Sequence, residues 1–178
     1  GIIEILPRPI TIQTGSSIKV YDKESIENKY FYEVGNSLLS SDSIELSSSS
    51  SFINAGTYKN IHEYKIMNGS RNITSNYLIN VIYGTILIEK RKVSIKVVDK
   101  DKIYDGEYFS STDNFITNDY YSLIDGDMIF IKTDGKIKDV GTANNGITSH
   151  YIIDSNHNEQ NNNYEVYYIA GTLEVKKR

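Results

Sequence analysis

The chain predicts an all-β, mostly antiparallel fold in two tandem copies, and three observations predict it. Apolar residues recur with a period of two, turn signals separate the apolar runs, and the whole pattern occurs twice. Each copy is expected to be a small β-domain, either an immunoglobulin-like sandwich or a β-grasp-like sheet packed on one short helix. The two copies are expected to be arranged end to end.

The alternation is clearest in the second copy. Val93, Ile95 and Val97 alternate with Ser94 and Lys96, so residues 93–98 read as a half-buried strand. Met128–Ile131 reads as a strand covered on both faces, with Ile44–Leu46 as its counterpart in the first copy. Ile147–Ile153 and its partner Tyr64–Met67 give another strand. Tyr164–Ile169 and Gly171–Val175 close the copy around a bend, with Leu173 and Val175 facing one way and Thr172 and Glu174 the other. Asp105–Gly106, Asp125–Gly126, Asp134–Gly135, Asn68–Gly69 and the Asn-rich run 156–163 supply turns. Glu24–Lys29 and Tyr120–Ile124 offer at most a turn or two of helix, and the serine run Ser47–Ser51 reads as a flexible loop.

The repeat fixes the domain boundaries. Arg8–Pro9–Ile10–Thr11–Ile12 matches Arg91–Lys92–Val93–Ser94–Ile95, and Lys19–Val20–Tyr21–Asp22 matches Lys102–Ile103–Tyr104–Asp105, both at an offset of 83. Asn54–Ala55–Gly56–Thr57 matches Asp139–Val140–Gly141–Thr142 at 85. Asn76–Tyr77 matches Asn163–Tyr164, and Tyr83–Ile88 matches Ala170–Val175, at 87. Both insertions fall in polar stretches, where loops vary and strands do not. Residues 9–90 are therefore the first repeat and 91–178 the second. Residues 1–8 align with the end of each copy and read as the closing strand of a preceding repeat plus its linker.

Composition bounds the function. Net charge is −4 with acids and bases interspersed, which argues against nucleic acid, since phosphate binding needs a basic face. The cluster Lys90–Arg91–Lys92 reads as a solvated linker. Cysteine is absent, which excludes disulfides, thiolate zinc sites and cysteine nucleophiles. No run approaches the ~20 apolar residues of a membrane-spanning helix, so direct membrane insertion is not expected.

Candidate chemistry is sparse. Asp154, Asn156, Asn158, Asn162 and Glu165 stand at positions 1, 3, 5, 9 and 12 of a calcium-binding loop, but Glu159 stands where such a loop needs glycine, so a solvated Asn-rich turn is the simpler reading. His62 and His150 fall at roughly equivalent places in the two copies, without any metalloprotease, hydrolase or nucleotide-binding motif. Asp125 and Asp127 are a carboxylate pair in a glycine-containing turn, with no Trp-lined cleft of the kind a glycosidase uses. The expectation is therefore no enzyme activity, with no catalytic, cofactor-binding or metal-ligating residue assigned.

The ordered residues Tyr104–Asp105–Gly106, Gly126–Asp127, Asp139–Val140–Gly141–Thr142, Asn163–Tyr164 and Gly171–Thr172–Leu173–Glu174–Val175 resemble the MBG and YDG-type repeats of bacterial surface proteins. The first copy carries Tyr21–Asp22, Gly56–Thr57–Tyr58, Asn76–Tyr77 and Gly84–Thr85, with Lys23 in place of the motif glycine and Ser41–Asp42 in place of Gly-Asp. The resemblance implies an extracellular module at a bacterial cell surface or wall: a stalk repeat that extends or presents an adhesive region, with neighbouring repeats as its partners. Two alternatives stand beside it. One is a directly adhesive module that binds a host glycan or matrix protein through aromatic groups such as Tyr30–Phe31–Tyr32, Tyr120–Tyr121 and Tyr167–Tyr168. The other is an accessory module of an exported enzyme. The motif residues Tyr21, Asp22, Gly56, Asn76, Tyr77, Gly84, Tyr104, Asp105, Gly106, Gly141, Asn163, Tyr164 and Gly171 are read as structural: glycines for bends, asparagines for local backbone bonds and tyrosines for the core edge.

A short charged linker between copies predicts an elongated particle. Solution X-ray scattering should give a radius of gyration of about 23 Å for two copies with centres ~40 Å apart, against about 16 Å for one merged globule. A value near the smaller figure would reject two separate cores.

Overall fold

Alternation along the first strand, β1 (Arg8–Thr14), puts Ile10, Ile12 and Thr14 on one buried face, with Thr11 and Gln13 less covered. This is the period-two pattern of a sheet with one face on a core. The strand is interrupted at Gly15–Ser16 and resumes as β2 (Ser17–Val20). The first copy continues through β3 (Ile26–Glu27), β4 (Phe31–Val34), β5 (Ser43–Ser49), β6 (Ser51–Phe52), β7 (Gly56–Lys59), β8 (His62–Asn68) and β9 (Arg71–Asn72). It ends in a second long strand that is also broken, β10 (Tyr77–Ile82) and β11 (Thr85–Glu89).

The computed structural model describes every residue from Gly1 to Arg178, and the chain divides into the units Gly1–Glu89 and Lys90–Arg178. In the first unit the two broken strands run side by side in parallel. β1 pairs with β10 on one side and, antiparallel, with β4 on the other. After the breaks the roles exchange, and β11 becomes the centre, flanked by β2 in parallel and β7 antiparallel. A third sheet, β5–β8–β9, is antiparallel throughout. Ile10 and Ile12 from β1, Ile66 from β8 and Tyr77 from β10 form a buried cluster against Phe31, Leu38, Ile44, Tyr64, Ile73 and Ile79. Two sheets thus face each other across one apolar layer, which makes the unit a small sandwich.

The second unit repeats the plan with β12 (Arg91–Val97), β13 (Lys100–Ile103), β14 (Asn114–Ile116), β15 (Met128–Thr133), β16 (Gly141–Asn145), β17 (Ile147–Ile153), β18 (Tyr164–Ile169) and β19 (Gly171–Lys176). β12 runs parallel to β18 with β14 on its far edge, and β19 runs parallel to β13 with β16 on its far edge. β15 and β17 form a two-stranded antiparallel sheet. Val93, Ile95, Val97, Ile152, Leu173 and Val175 are fully buried. The fold is all-β, mostly antiparallel and without an α-helix. Its only helical turns are the three-residue 3₁₀ segments Thr74–Asn76 and Asn161–Asn163.

Four local expectations are corrected. Neither Glu24–Lys29 nor Tyr120–Ile124 is helical; Ile26 and Glu27 pair with Phe52 and Ser51 instead. The serine run is not a loop: Ser48 and Ser49 are paired with Glu63 and His62, past a register shift after Leu46. A strand partner overrides the low complexity of the run. Met128–Ile131 is not covered on both faces, because Met128 and Phe130 are 45% and 50% exposed while Ile129 and Ile131 turn inward. Arg91 and Lys92 are not linker but the first residues of β12, paired with Tyr164 and Glu165. Separately from these, Gly1–Pro7 lies before β1 without strand structure, and Ile2, Ile3, Ile5 and Leu6 are exposed.

The breaks in the long strands explain two of the motif glycines. A Cβ on Gly171 would lie 2.6 Å from the Val97 carbonyl oxygen, and one on Gly84 would overlap the carbonyl of Gly15. Gly84→Ala and Gly171→Ala must push backbone apart, and each is expected to destabilise its own unit by about 1–3 kcal/mol. Calorimetry should show one transition moved and the other unmoved. A negligible loss would mean that the strands can separate at the crossing.

Candidate functional site

A repeated site would be built from the residues that recur between the copies. Each pair makes the same bonds twice. The Tyr77 hydroxyl donates to Asp42 Oδ2 at 2.5 Å and accepts from the Leu39 amide at 3.3 Å. The Tyr164 hydroxyl donates to Asp127 Oδ2 at 2.5 Å and accepts from the Ile124 amide at 3.1 Å. The Asn-Tyr and Gly-Asp motifs are thus two halves of one lock that ties the last long strand to the turn before β5 or β15. Asn76 and Asn163 lie one residue before the tyrosine, each closing a 3₁₀ turn through its amide; Asn163 also donates to Gln160 Oε1.

The Tyr-Asp-Gly segment is a turn device. Asp22 accepts from the Glu24 amide and lies 2.5 Å from Lys19 Nζ; Asp105 accepts from the Glu107 amide and lies 2.6 Å from Lys102 Nζ. Both lysines also donate to a carbonyl, that of Glu24 or of Glu107. The amides of Tyr21 and Tyr104 reach the Glu89 and Lys176 carbonyls and extend the closing pairing. Tyr21 is buried whereas Tyr104 is 38% exposed. Lys23, at φ 68, adopts the left-handed conformation that Gly106 holds at φ 84, so the first copy keeps the turn and tolerates the side chain. Gly56 and Gly141 open β7 and β16.

Sequence reading missed a buried asparagine in each unit. The Asn60 side-chain amide donates to the carbonyls of Gly15 and Asn28, its backbone carbonyl accepts from Thr14 Oγ1, and its amide bonds the Gly84 carbonyl. In the second unit Asn145 Nδ2 donates to the Ser111 carbonyl, and Asn145 Oδ1 accepts from the Gly135 amide. Both asparagines are 0% exposed. The signal was present as Gly-Thr-x-x-Asn at 56–60 and 141–145.

The other candidates are also engaged in local structure. His62 is buried, with Nε2 2.7 Å from the Asn28 carbonyl and Nδ1 2.9 Å from the Tyr64 hydroxyl. Strand register corrects the proposed equivalence of the histidines: His150 faces Ile131 as Tyr64 faces Leu46, so Tyr64, not His62, is its counterpart. Burial lowers the His150 pKa, and burial pushes that of Tyr64 up to about 12. Asp154 Oδ1 accepts from the Asn156 and Asn158 amides, and Oδ2 from the side chains of Asn158 and Gln160, which makes it the organiser of its own turn. Asp127 is committed to Tyr164, while Asp125 is exposed. Arg91 donates to the Ser122 carbonyl and stacks on Tyr121 at 4.7 Å, and Arg8 bonds the Ser37 carbonyl in the same way.

Aromatic side chains remain at the surface. Tyr30 and Tyr32 are exposed, with Phe31 between them turned inward against Tyr64. Tyr120 stacks on Tyr167 at 4.8 Å, and Tyr168 bonds His150. The remaining pair, Phe130 and Tyr151, borders an open groove of about 360 Å³ lined also by Ile131, Lys132, Ser149 and His150. No protein-family model, curated protein or solved structure matches the chain.

The Tyr–Asp lock gives a linked pair of expectations. Tyr164→Phe leaves buried Asp127 without its hydroxyl donor and should cost the second unit about 2 kcal/mol. In the first unit the Tyr77 bond, followed by that from Asn68, holds the Asp42 carboxyl below its ordinary 3.8. A carboxylate depressed by folding stabilises above its unfolded pKa and loses that contribution as pH falls through the folded one. Acid titration should therefore destabilise the first unit below about pH 4 less steeply in Asp42→Asn than in the parent chain. Identical acid profiles would remove the lock from the acid response.

Proposed function

We propose that the chain is a non-catalytic structural repeat pair from a bacterial cell-surface protein, a stalk segment that extends or presents an adhesive region. One observation carries the reading: the polar residues that recur between the copies are used inside each unit. Tyr77 with Asp42, Lys19 with Asp22, Asn60 with Asn28 and Arg8 with Ser37 all have their bonds repeated by the second unit's counterparts. What is duplicated is a set of folding instructions, and duplicating a self-sufficient unit adds length. The resemblance to MBG and YDG-type repeats supports the same reading, with neighbouring repeats as partners and the cell surface or wall as the location. Ion pairs such as Lys100–Asp113 and Lys176–Asp101 are exposed, and both partners of each lie within one unit.

A replacement experiment tests the proposal. In the parent surface protein, both units are exchanged for two unrelated β-sandwich domains of similar length. Adherence of intact cells should be retained, and deletion without replacement should reduce it. Loss of adherence on exchange would reject a spacer role and favour direct adhesion. A screen of the isolated chain for glycosidase, protease and esterase turnover should give background rates. Turnover abolished by a point substitution in either unit would reject the non-catalytic reading.

A further inference from the structure

The two units use the same ladder of residues in the same sheet but dress its outer face differently. Ile44 opposite Ile66 in β5–β8 corresponds to Ile129 opposite Ile152 in β15–β17, and in both pairs the β8 or β17 residue is fully buried. The next rung turns outward. In the first unit it is Glu45 opposite Lys65, and in the second it is Phe130 opposite Tyr151. On the preceding rung exposed Ser43 is replaced by exposed Met128, whose partner Ile153 is buried. The first unit shows that this fold is satisfied by a charged pair there. The second unit instead keeps two aromatic rings about half exposed, with centroids 5.8 Å apart and planes tilted by 34°. Folding does not require these rings, and an exposed apolar patch with a polar rim marks a ligand surface.

The groove beside the rings is about 360 Å³, the lower end of the size range of small-molecule sites. Strand alternation places Phe130 and Lys132 of β15 and Ser149 and Tyr151 of β17 on one face. Ring faces carry negative charge density and attract the C–H face of a pyranose, while Ser149 and the Tyr151 hydroxyl offer polar contacts to its hydroxyls. Lys132 is exposed and has no carboxylate within ion-pair distance, in contrast to Lys92, Lys96, Lys100, Lys102 and Lys176. In a chain of net charge −4, this groove is lined by one cation and no carboxylate. A peptide strand added to β15 is disfavoured: the register shifts between Lys132 and Thr133, and a lysine and an irregularity on an edge strand both blunt strand addition.

We propose that the outer face of β15–β17 in the second unit binds a carboxylated pyranose. The sugar's apolar face lies on Phe130 and Tyr151, and its carboxylate pairs with Lys132. The inference goes beyond the structural reading and does not rest on it, since a stalk unit can carry a binding face.

The test titrates the full chain with hexuronate- and sialate-containing oligosaccharides and with their carboxyl-reduced counterparts, followed by amide NMR. The expected result is saturable shifts confined to β15 and β17 for an acidic sugar, with binding about threefold weaker for its reduced counterpart, the size of an exposed ion pair. Lys132→Gln should erase that difference. The double variant Phe130→Glu with Tyr151→Lys transplants the rung that the first unit already folds with, and should weaken binding at least about tenfold. Its amide spectrum away from the hairpin should be unchanged. The proposal is overturned by an absence of shifts with every acidic sugar, by shifts centred elsewhere, by equal binding of the reduced sugars, or by full binding in the double variant. Response to apolar peptides alone would likewise overturn it. None of these outcomes alters the replacement experiment, so failure of the sugar site and failure of the stalk reading remain distinguishable.

Discussion

Each unit depends on the point where its two long strands change sheets together. There the first and last strands touch backbone to backbone, Gly84 against Gly15 and Gly171 against Val97, at a separation that leaves no room for a Cβ. Sheet pairing lapses at the break, so peptide groups inside the unit need other partners. A buried asparagine supplies them because its side-chain amide has the donor and acceptor of a peptide bond. Asn60 and Asn145 occupy this place, and through them the crossing is tied to a third segment, at Asn28 or Ser111. The two staples differ in one respect. Asn145 Oδ1 receives the Gly135 amide, which comes so close that a Cβ on Gly135 would lie 2.6 Å from Asn145 Cγ. The corresponding position in the first unit is Ser51, since Ser50 bonds the Ile61 carbonyl as Asp134 bonds that of Gly146; Ser51, in β6, pairs with Glu27, and Asn60 Oδ1 has no hydrogen-bond partner in the protein. The lack of a glycine leaves one acceptor unsatisfied.

From that crossing the rest of the unit follows. The first strand is central before the break and the last strand is central after it, so each contributes buried residues to a different sheet: Ile10 and Ile12 before, Ile86 and Ile88 after. The Tyr–Asp lock then fixes the turn that feeds the facing hairpin, and the Lys–Asp turn finishes the first strand. The bonds of the Tyr–Asp lock join segments far apart in sequence, 35 residues for Tyr77 and Asp42 and 37 for Tyr164 and Asp127. A small sandwich has a thin core, and buried polar bonds that are fully paired define one arrangement of its sheets.

A scaffold specified in this way leaves its outer faces free to differ. The facing hairpins keep their inward isoleucines while the outward rung changes from Glu45–Lys65 to Phe130–Tyr151. Duplication holds the folding residues constant, and divergence acts on what they support.

The sequence by itself determined the strands, the two copies and which residues recur. A half-buried strand writes its environment into alternate positions, and a repeated fold writes the same turns at nearly constant offsets. It marked the motif glycines as places where the backbone bends; that Gly84 and Gly171 also let two strands touch was decided by the fold. Tertiary structure alone decided the partners. The Asn-Tyr and Gly-Asp motifs were legible as separate signals, but their bond joins residues that only the folded chain brings together. Asn60 and Asn145 stood in plain view as polar residues at a strand end, where solvent is the ordinary expectation, until the crossing buried them. The serine run became a strand because β8 offered it a partner, and Met128–Ile131 lost one covered face because no element lies over it. Periodicity records how one segment meets its surroundings; pairing and burial between distant segments are properties of the assembled sheet.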